Sequence, residues 1–242
     1  MANIERISIA LLGDSLTQMS FSPDDCGWGA GLADWYSRSA NIYNQGYSGY
    51  NSRWIKSMLP NLFPKNSETS KNLDLVTLLL GSNDCNSEEN GQHVPVGEYK
   101  ANLISIIQYI FSLNTKVSVI LIVPPPMKHE QIPSLWGNRT AVSKYVAAVE
   151  EIFNELKSVH HNLYFYNPWV GEYAIDIEHD LADGLHFNSL GNKKIFLGLQ
   201  RVITTQLPQL VPENSIAYPD WSALSGLPLS KIEELLVVTP KN

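Results

Sequence analysis

Apolar runs and helical stripes alternate along this chain. Residues 7–12 are largely apolar and stop at Gly13. Residues 73–80 and 117–123 repeat that pattern, closed by Gly81 and by Pro124-Pro125-Pro126. Short apolar runs bounded in this way read as strands buried on both faces, and proline cannot continue a central ladder. Residues 41–44 and 163–166 are weaker runs of the same kind. Between the runs, apolar residues recur at helical spacing: Trp28, Leu32, Trp35 and Tyr36, then Trp54, Ile55, Met58 and Leu59. Tyr99, Leu103, Ile106 and Ile110 form a third stripe, and Val142, Tyr145, Val149 and Ile152 a fourth. Ile195, Leu199, Val202 and Ile203 form the last, in a helix beginning near Ser189. Strands alternating with helices predict an α/β fold with five parallel strands and helices on both faces.

The pattern breaks after residue 207. Residues 208–228 are rich in proline and serine, and a short helix is predicted at 231–238, with Ser230 and Glu233 at capping-box spacing. Its apolar residues Ile232, Leu235, Leu236 and Val238 need a surface to cover them. The division is therefore a domain over 1–207 and an extension over 208–242, packed either on that domain or on a second copy in a homodimer.

Composition narrows the function classes. A chain of 242 residues with 44% hydrophobic and 17% charged residues suits one large globular domain. Its 17 basic and 24 acidic residues, net −7, argue against nucleic acid as a partner, because no Lys/Arg cluster is present to displace phosphate counterions. No stretch approaches the ~20 apolar residues of a membrane span. Two cysteines, Cys26 and Cys85, are too few for a disulfide framework and read as thiols in a reducing compartment. Residues 1–12 carry no basic region ahead of a cleavable apolar segment, so the expected location is cytoplasmic. The sequon Asn138-Arg139-Thr140 is then accidental.

Ligands of open parallel sheets bind outside the carboxyl ends of the strands. Gly13-Asp14-Ser15-Leu16, Gly46-Tyr47-Ser48-Gly49 and Gly81-Ser82-Asn83-Asp84 follow the first three strands, and Asp183-Gly184-Leu185-His186 precedes the last helix. Each supplies something acyl transfer needs. A serine hydroxyl needs a base to take its proton, and His186 suits that role if its ring meets Ser15. Asp183, three residues earlier, reaches back to fix the imidazole tautomer. Negative charge developing on a carbonyl oxygen needs donors already in place, and the Ser15 and Gly49 N–H groups and the Asn83 amide are candidates. Taken singly, the segments have plainer readings: a capped strand-to-helix turn at 13–16, a turn at 81–84, a structural histidine at 186. Their conjunction, in order and at strand ends, carries the argument.

The four segments together resemble the blocks of the SGNH (GDSL) hydrolase superfamily. A narrower resemblance, to the isoamyl-acetate-hydrolysing esterase branch, rests on residues 46–54, on Asp183-Gly-Leu-His-Phe-Asn-Ser-Leu-Gly191 and on Tyr218-Pro-Asp-Trp221. The resemblance implies a three-layer α/β/α, flavodoxin-like fold and hydrolysis without metal or organic cofactor. It implies Ser15 as nucleophile, Asp183 and His186 as acid and base, and Ser15, Gly49 and Asn83 as the oxyanion hole. The expected substrate is a small acyl ester. A sugar acetate, thioester or lysolipid on the same triad is the alternative, and a non-catalytic binding module the reading from another class.

Other residues complete the expectations. Asp14, Phe187 and Trp28 flank the chemical segments as candidate substrate contacts, whereas Trp54 is assigned to the core. Arg53 and Asp84 are assigned to support of the oxyanion region. The loop at 127–138 matches no motif, and its place beside the acyl site is left open. Gly27-Trp-Gly-Ala-Gly31 lacks the lysine and spacing of a phosphate loop. Asp176, Glu178, His179 and Asp180 lack metal-ligand spacing and read as a solvated loop. A Gly-x-Ser-x-Gly elbow is absent, which disfavours an ordinary α/β-hydrolase.

Overall fold

The computed structural model describes residues 6–128, 142–214 and 218–236. Most of the 127–138 loop, the Asn138 sequon and Val238 lie outside the described residues.

Five strands form one parallel sheet: β1 (Ile7–Gly13), β2 (Ala40–Gly46), β3 (Leu75–Leu79), β4 (Ser118–Ile122) and β5 (Leu163–Tyr166). Their order is β2-β1-β3-β4-β5. The chain steps from β1 to β2 and then back across β1 to β3, which puts the topological switch point between β1 and β3. Side chains alternate across the sheet as the pleat requires. Ile9 and Leu11 join one apolar cluster with Trp28, Leu32, Ile195 and Leu199; Ala10 and Leu12 join the other with Ile55, Leu103 and Val149. Helices α2 (Trp28–Trp35) and α7 (Ser189–Gln206) thus cover one face. Helices α3 (Ser52–Leu62), α5 (Val96–Phe111) and α6 (Val142–Lys157) cover the other, with short helices α1 (Ser15–Gln18) and α4 (Glu68–Lys71) in the connections. This is the three-layer α/β/α arrangement expected from the apolar pattern.

Two local expectations need correction. Strand β2 runs Ala40–Gly46, three residues longer than the weak apolar run at 41–44, because pairing with β1 extends over its whole length, Ile7↔Ala40 through Gly13↔Gly46. Trp54 is not a core residue: it is 39% exposed and packs edge-on against Tyr50.

Residues 210–220 hydrogen-bond to residues 36–39, at the end of α2. The Tyr36 hydroxyl donates to the Leu210 carbonyl at 2.7 Å, and Ser39 Oγ to Pro212 O at 2.9 Å. Arg38 then holds the carbonyls of Tyr218 and Pro219 and the Asp220 carboxylate. Helices α8 (Trp221–Leu224) and α9 (Leu229–Leu236) bury no residue. Helix α9 begins before Ser230, which places that serine inside the helix rather than at its cap and corrects the capping-box expectation.

Candidate active site

Gly13 lies level with both Gly46 and Leu79 in the sheet register, so the loops after β1, β2 and β3 leave side by side. Asp14 caps the four-residue helix α1, its Oδ1 accepting from Leu16 N at 3.0 Å. Ser15 is therefore the first residue of that helix, where a backbone N–H has no intrahelical acceptor. Helix α1 lies directly against the end of β2: a Cβ at Gly46 would stand 2.0 Å from Gln18 N, so only glycine allows this approach.

His186 reaches Ser15 from the far end of the chain. Leu181 and Phe187 form an isolated antiparallel bridge, and Ala182 N donates to His186 O at 2.8 Å, closing a tight loop. Within that loop Asp183 Oδ1 accepts from the backbone N–H groups of Leu185 and His186 at 2.9 and 2.8 Å. Asp183 Oδ2 lies 2.7 Å from His186 Nδ1, and His186 Nε2 lies 2.9 Å from Ser15 Oγ. The three groups form one hydrogen-bonded row. Burial opposes ionisation of Asp183, but the hydrogen bonds from the His186 ring and from two backbone N–H groups outweigh it. They hold the carboxyl well below the usual carboxylate range.

The other two segments follow β2 and β3, whose ends lie level with Gly13. Gly49 has φ +80°, a left-handed conformation that favours glycine. Asn83 is buried and its Nδ2 donates to Tyr50 O at 2.9 Å. This bond uses one of the two hydrogens of the Asn83 amide. Asp84 accepts from Ser52 N and Ser52 Oγ at 3.0 and 2.5 Å, tying the end of β3 to the start of α3. Arg53 makes a bidentate pair with Glu98 at 2.6 and 2.7 Å, between α3 and α5.

A cavity of about 200 Å³ lies beside Asp183 and His186, walled by Leu16, Met19, Ala182 and Phe187 and by the polar Asp25 and Asn192; Ser15, Gly49 and Asn83 are not part of its lining. Phe187, a candidate substrate contact, lines this cavity. Trp28 and Asp14 do not. Trp28 is fully buried, donates its indole N–H to Leu16 O at 3.0 Å and belongs to the core. Asp14 is fully buried and acts as the helix cap. Both were assigned from proximity in sequence, and both are one layer too deep to touch a ligand. Residues 27–31 start helix α2 behind the cavity. The acidic cluster at 176–180 is tied up internally: Asp176 bonds His179, and Asp180 accepts from Asp176 N and from Lys194 Nζ.

Sequence reasoning passed over Asn192, whose Oδ1 accepts from Trp28 N while Nδ2 reaches Asp25, Phe187 and Asn188 carbonyls. It also passed over Gln18 and Gln92. Gln18 Oε1 accepts from Ser48 N at 2.8 Å, and Gln92 Nε2 donates to Gly49 O at 2.8 Å. None belongs to a motif, and only the folded chain brings each to its partner.

The family model for the GDSL-like lipase/acylhydrolase family matches residues 11–194. The chain belongs to that family. It is a carboxylic ester hydrolase of the SGNH type. The isoamyl acetate-hydrolyzing esterase 1 homolog of Rattus norvegicus is 36% identical to it over 219 residues, covering 85% of this chain and 86% of that protein. Two solved structures share the fold of the esterase. One is a catalytic mutant of Axe2, an acetylxylan esterase from Geobacillus stearothermophilus (TM-score 0.61, 19% identity, 81% of this chain and 94% of that one). The other is the lipase/acylhydrolase from Enterococcus faecalis (TM-score 0.61, 22% identity, 81% and 95%). Among the described residues, no helix of the esterase is long and apolar enough to cross a membrane.

Proposed function

We propose that this esterase hydrolyses small acyl esters through an acyl-serine intermediate. The observation that carries the reading is the unbroken row Asp183 Oδ2, His186 Nδ1, His186 Nε2, Ser15 Oγ, with gaps of 2.7 and 2.9 Å. Ser15 Oγ attacks the ester carbonyl while its proton passes to His186 Nε2, and the carbonyl π pair moves onto oxygen. Asp183 holds the ring with its proton on Nδ1 and stabilises the imidazolium that forms. The Ser15 and Gly49 N–H groups and the second Asn83 amide hydrogen face the oxyanion. Collapse expels the alkoxide, which takes the Nε2 proton and leaves as the alcohol. Water then repeats the sequence on the acyl-serine and releases the acid.

The cavity supports the substrate class. Leu16, Met19 and Phe187 give it an apolar wall beside His186. An acetyl or short acyl ester of a small aliphatic alcohol suits an apolar wall, and the name of the rat relative points to the same class. Asp14 and Trp28 take no part. Cys26 and Cys85 are both free thiols, which supports a cytoplasmic setting.

Ser15→Ala tests the reading. It is expected to abolish p-nitrophenyl acetate turnover and labelling by a fluorophosphonate while leaving the melting temperature within a few degrees of wild type. Turnover surviving in that variant overturns the assignment. Measured across acyl chain lengths and acetylated sugars, activity is expected to peak at short acyl chains. A preference for sugar acetates, thioesters or lysolipids would replace the proposed substrate class while leaving the triad in place.

A further inference from the structure

Glycine at 49 solves one problem and creates another. It accepts φ +80° and spares Gln92 Nε2 a Cβ at 3.3 Å, but it also has the softest backbone of any residue. A donor that must stand ready before charge develops needs its peptide held from outside.

The surrounding bonds do this selectively. Ser48 N is held by Gln18 Oε1 at 2.8 Å, Tyr50 N by Tyr47 O at 3.0 Å, and Tyr50 O by Asn83 Nδ2 at 2.9 Å. Gly49 O is held by Gln92 Nε2 at 2.8 Å. Among the described residues, Gly49 N–H has no such partner. Gln92 grips the same corner a second time, its backbone carbonyl accepting from Asn51 Nδ2 at 2.8 Å. Asn51 Oδ1 in turn caps α3 through Trp54 N at 3.0 Å.

Gln92 is itself anchored. Its Oε1 accepts from the buried Asn86 Nδ2 at 2.9 Å, which leaves the Nε2 end no choice but to point at Gly49. The loop that carries it is pinned to the block after β3 by Val94 N to Asp84 O at 3.1 Å and Asn86 N to Asn83 O at 3.1 Å. Tyr145 Oη adds a bond to Val94 O at 2.6 Å.

We infer that Gln92 is a positioning residue for ester hydrolysis: it clamps the Gly49 carbonyl so that the Gly49 N–H stays aimed at the oxyanion. The inference rests on the reading of Gly49 as an oxyanion donor given above. Gln92 touches no reacting atom, and its effect passes through the glycine peptide.

The test is Gln92→Met, which keeps the side chain's length and removes both amide bonds. We expect kcat on p-nitrophenyl acetate to fall about tenfold, between the loss of one hydrogen bond and the loss of a whole oxyanion donor. KM should stay within threefold. Affinity for a trifluoromethyl ketone, which forms a tetrahedral adduct with its oxyanion in place, should fall by the same factor as kcat. A kcat within threefold of wild type overturns the inference, as does a loss carried by KM with ketone affinity untouched. If Gln92→Met does not fold, Gln92→Glu carries the same readings, since its carboxylate still accepts from Asn86 but opposes the Gly49 carbonyl. Ser15→Ala measured alongside separates the two ideas. Turnover in that variant removes the acyl-serine reading, whereas an inert Ser15→Ala beside an unimpaired Gln92→Met removes the clamp alone.

Discussion

Asp183→Asn exposes the logic of the triad, because the surrounding bonds dictate how the new amide must sit. In the esterase, Asp183 Oδ1 accepts from Leu185 N and His186 N, and Oδ2 faces His186 Nδ1. An asparagine has a single acceptor oxygen and a two-donor nitrogen. The two backbone N–H groups claim the oxygen, since the reverse orientation would set donors against donors. The amide nitrogen then faces Nδ1, which must accept, and the ring proton is driven to Nε2. In that tautomer the ring cannot take the Ser15 proton. A wrong-tautomer triad loses roughly 10⁴ in kcat, about 5 kcal/mol of transition-state stabilisation. Some stability is lost with the charge, whose bonds hold the carboxyl well below the usual range, but both backbone bonds survive in neutral form. Asp183→Ala makes the contrast: it loses those two bonds and about 1–2 kcal/mol of stability, but the ring is free to choose its tautomer. Asparagine should therefore be the less active variant and the more stable one. Steady-state hydrolysis of p-nitrophenyl acetate and thermal unfolding by circular dichroism read both quantities. An Asp183→Asn enzyme with more than a tenth of wild-type kcat, or one more active than Asp183→Ala, refutes the reasoning.

Two further outcomes follow from the other side of the site. Asn83→Ala removes the amide proposed as an oxyanion donor and its bond to Tyr50 O together, and should lower kcat by roughly 10²–10³; a loss of only two- or threefold takes Asn83 out of that role. Burial raises the Asp84 carboxyl from 3.8 to about 6, against the lowering effects of the Ser52 hydrogen bonds and the Arg53 charge. Its folded pKa thus lies above its unfolded one, the folded state holds more protons between the two values, and its contribution to stability declines as pH rises through that window. Asp84→Asn should remove this decline. The melting temperature of wild type minus that of the variant is expected to drop between about pH 4 and about pH 6, and parallel curves would reject the buried-carboxylate account.

Much of the fold was legible because its signals are local. The apolar runs at 7–12 and 117–123 are strands buried on both faces, and such strands need no partner to be recognised. Ser15, Gly49, Asn83 and His186 were legible as a set because each sits at a strand end or helix start that the apolar pattern already marks. The misreadings fall where burial depends on a neighbour remote in sequence. Trp28 and Asp14 stand close to Ser15 along the chain, yet α7 and the body of α1 close over them. Trp54 sits on an apolar stripe, yet it stays 39% exposed with Tyr50 set edge-on against it. Strand β2 looked short because Ala40, Gln45 and Gly46 bring no large apolar side chain, and only pairing with β1 shows its length.

From its order of residues alone, this chain determined its layers, its strand directions and the chemical types available at the carboxyl edge of the sheet. Period-two and period-3.6 patterns are properties of neighbouring residues, and a crossover between parallel strands leaves few topologies to choose from. Tertiary structure decided the rest: which hydroxyl meets which imidazole across 171 positions of chain, and which glutamine amide holds a glycine carbonyl 43 positions away. A side-chain hydrogen bond needs its partners within about 3 Å, and no spacing rule along the chain encodes such a distance between remote segments.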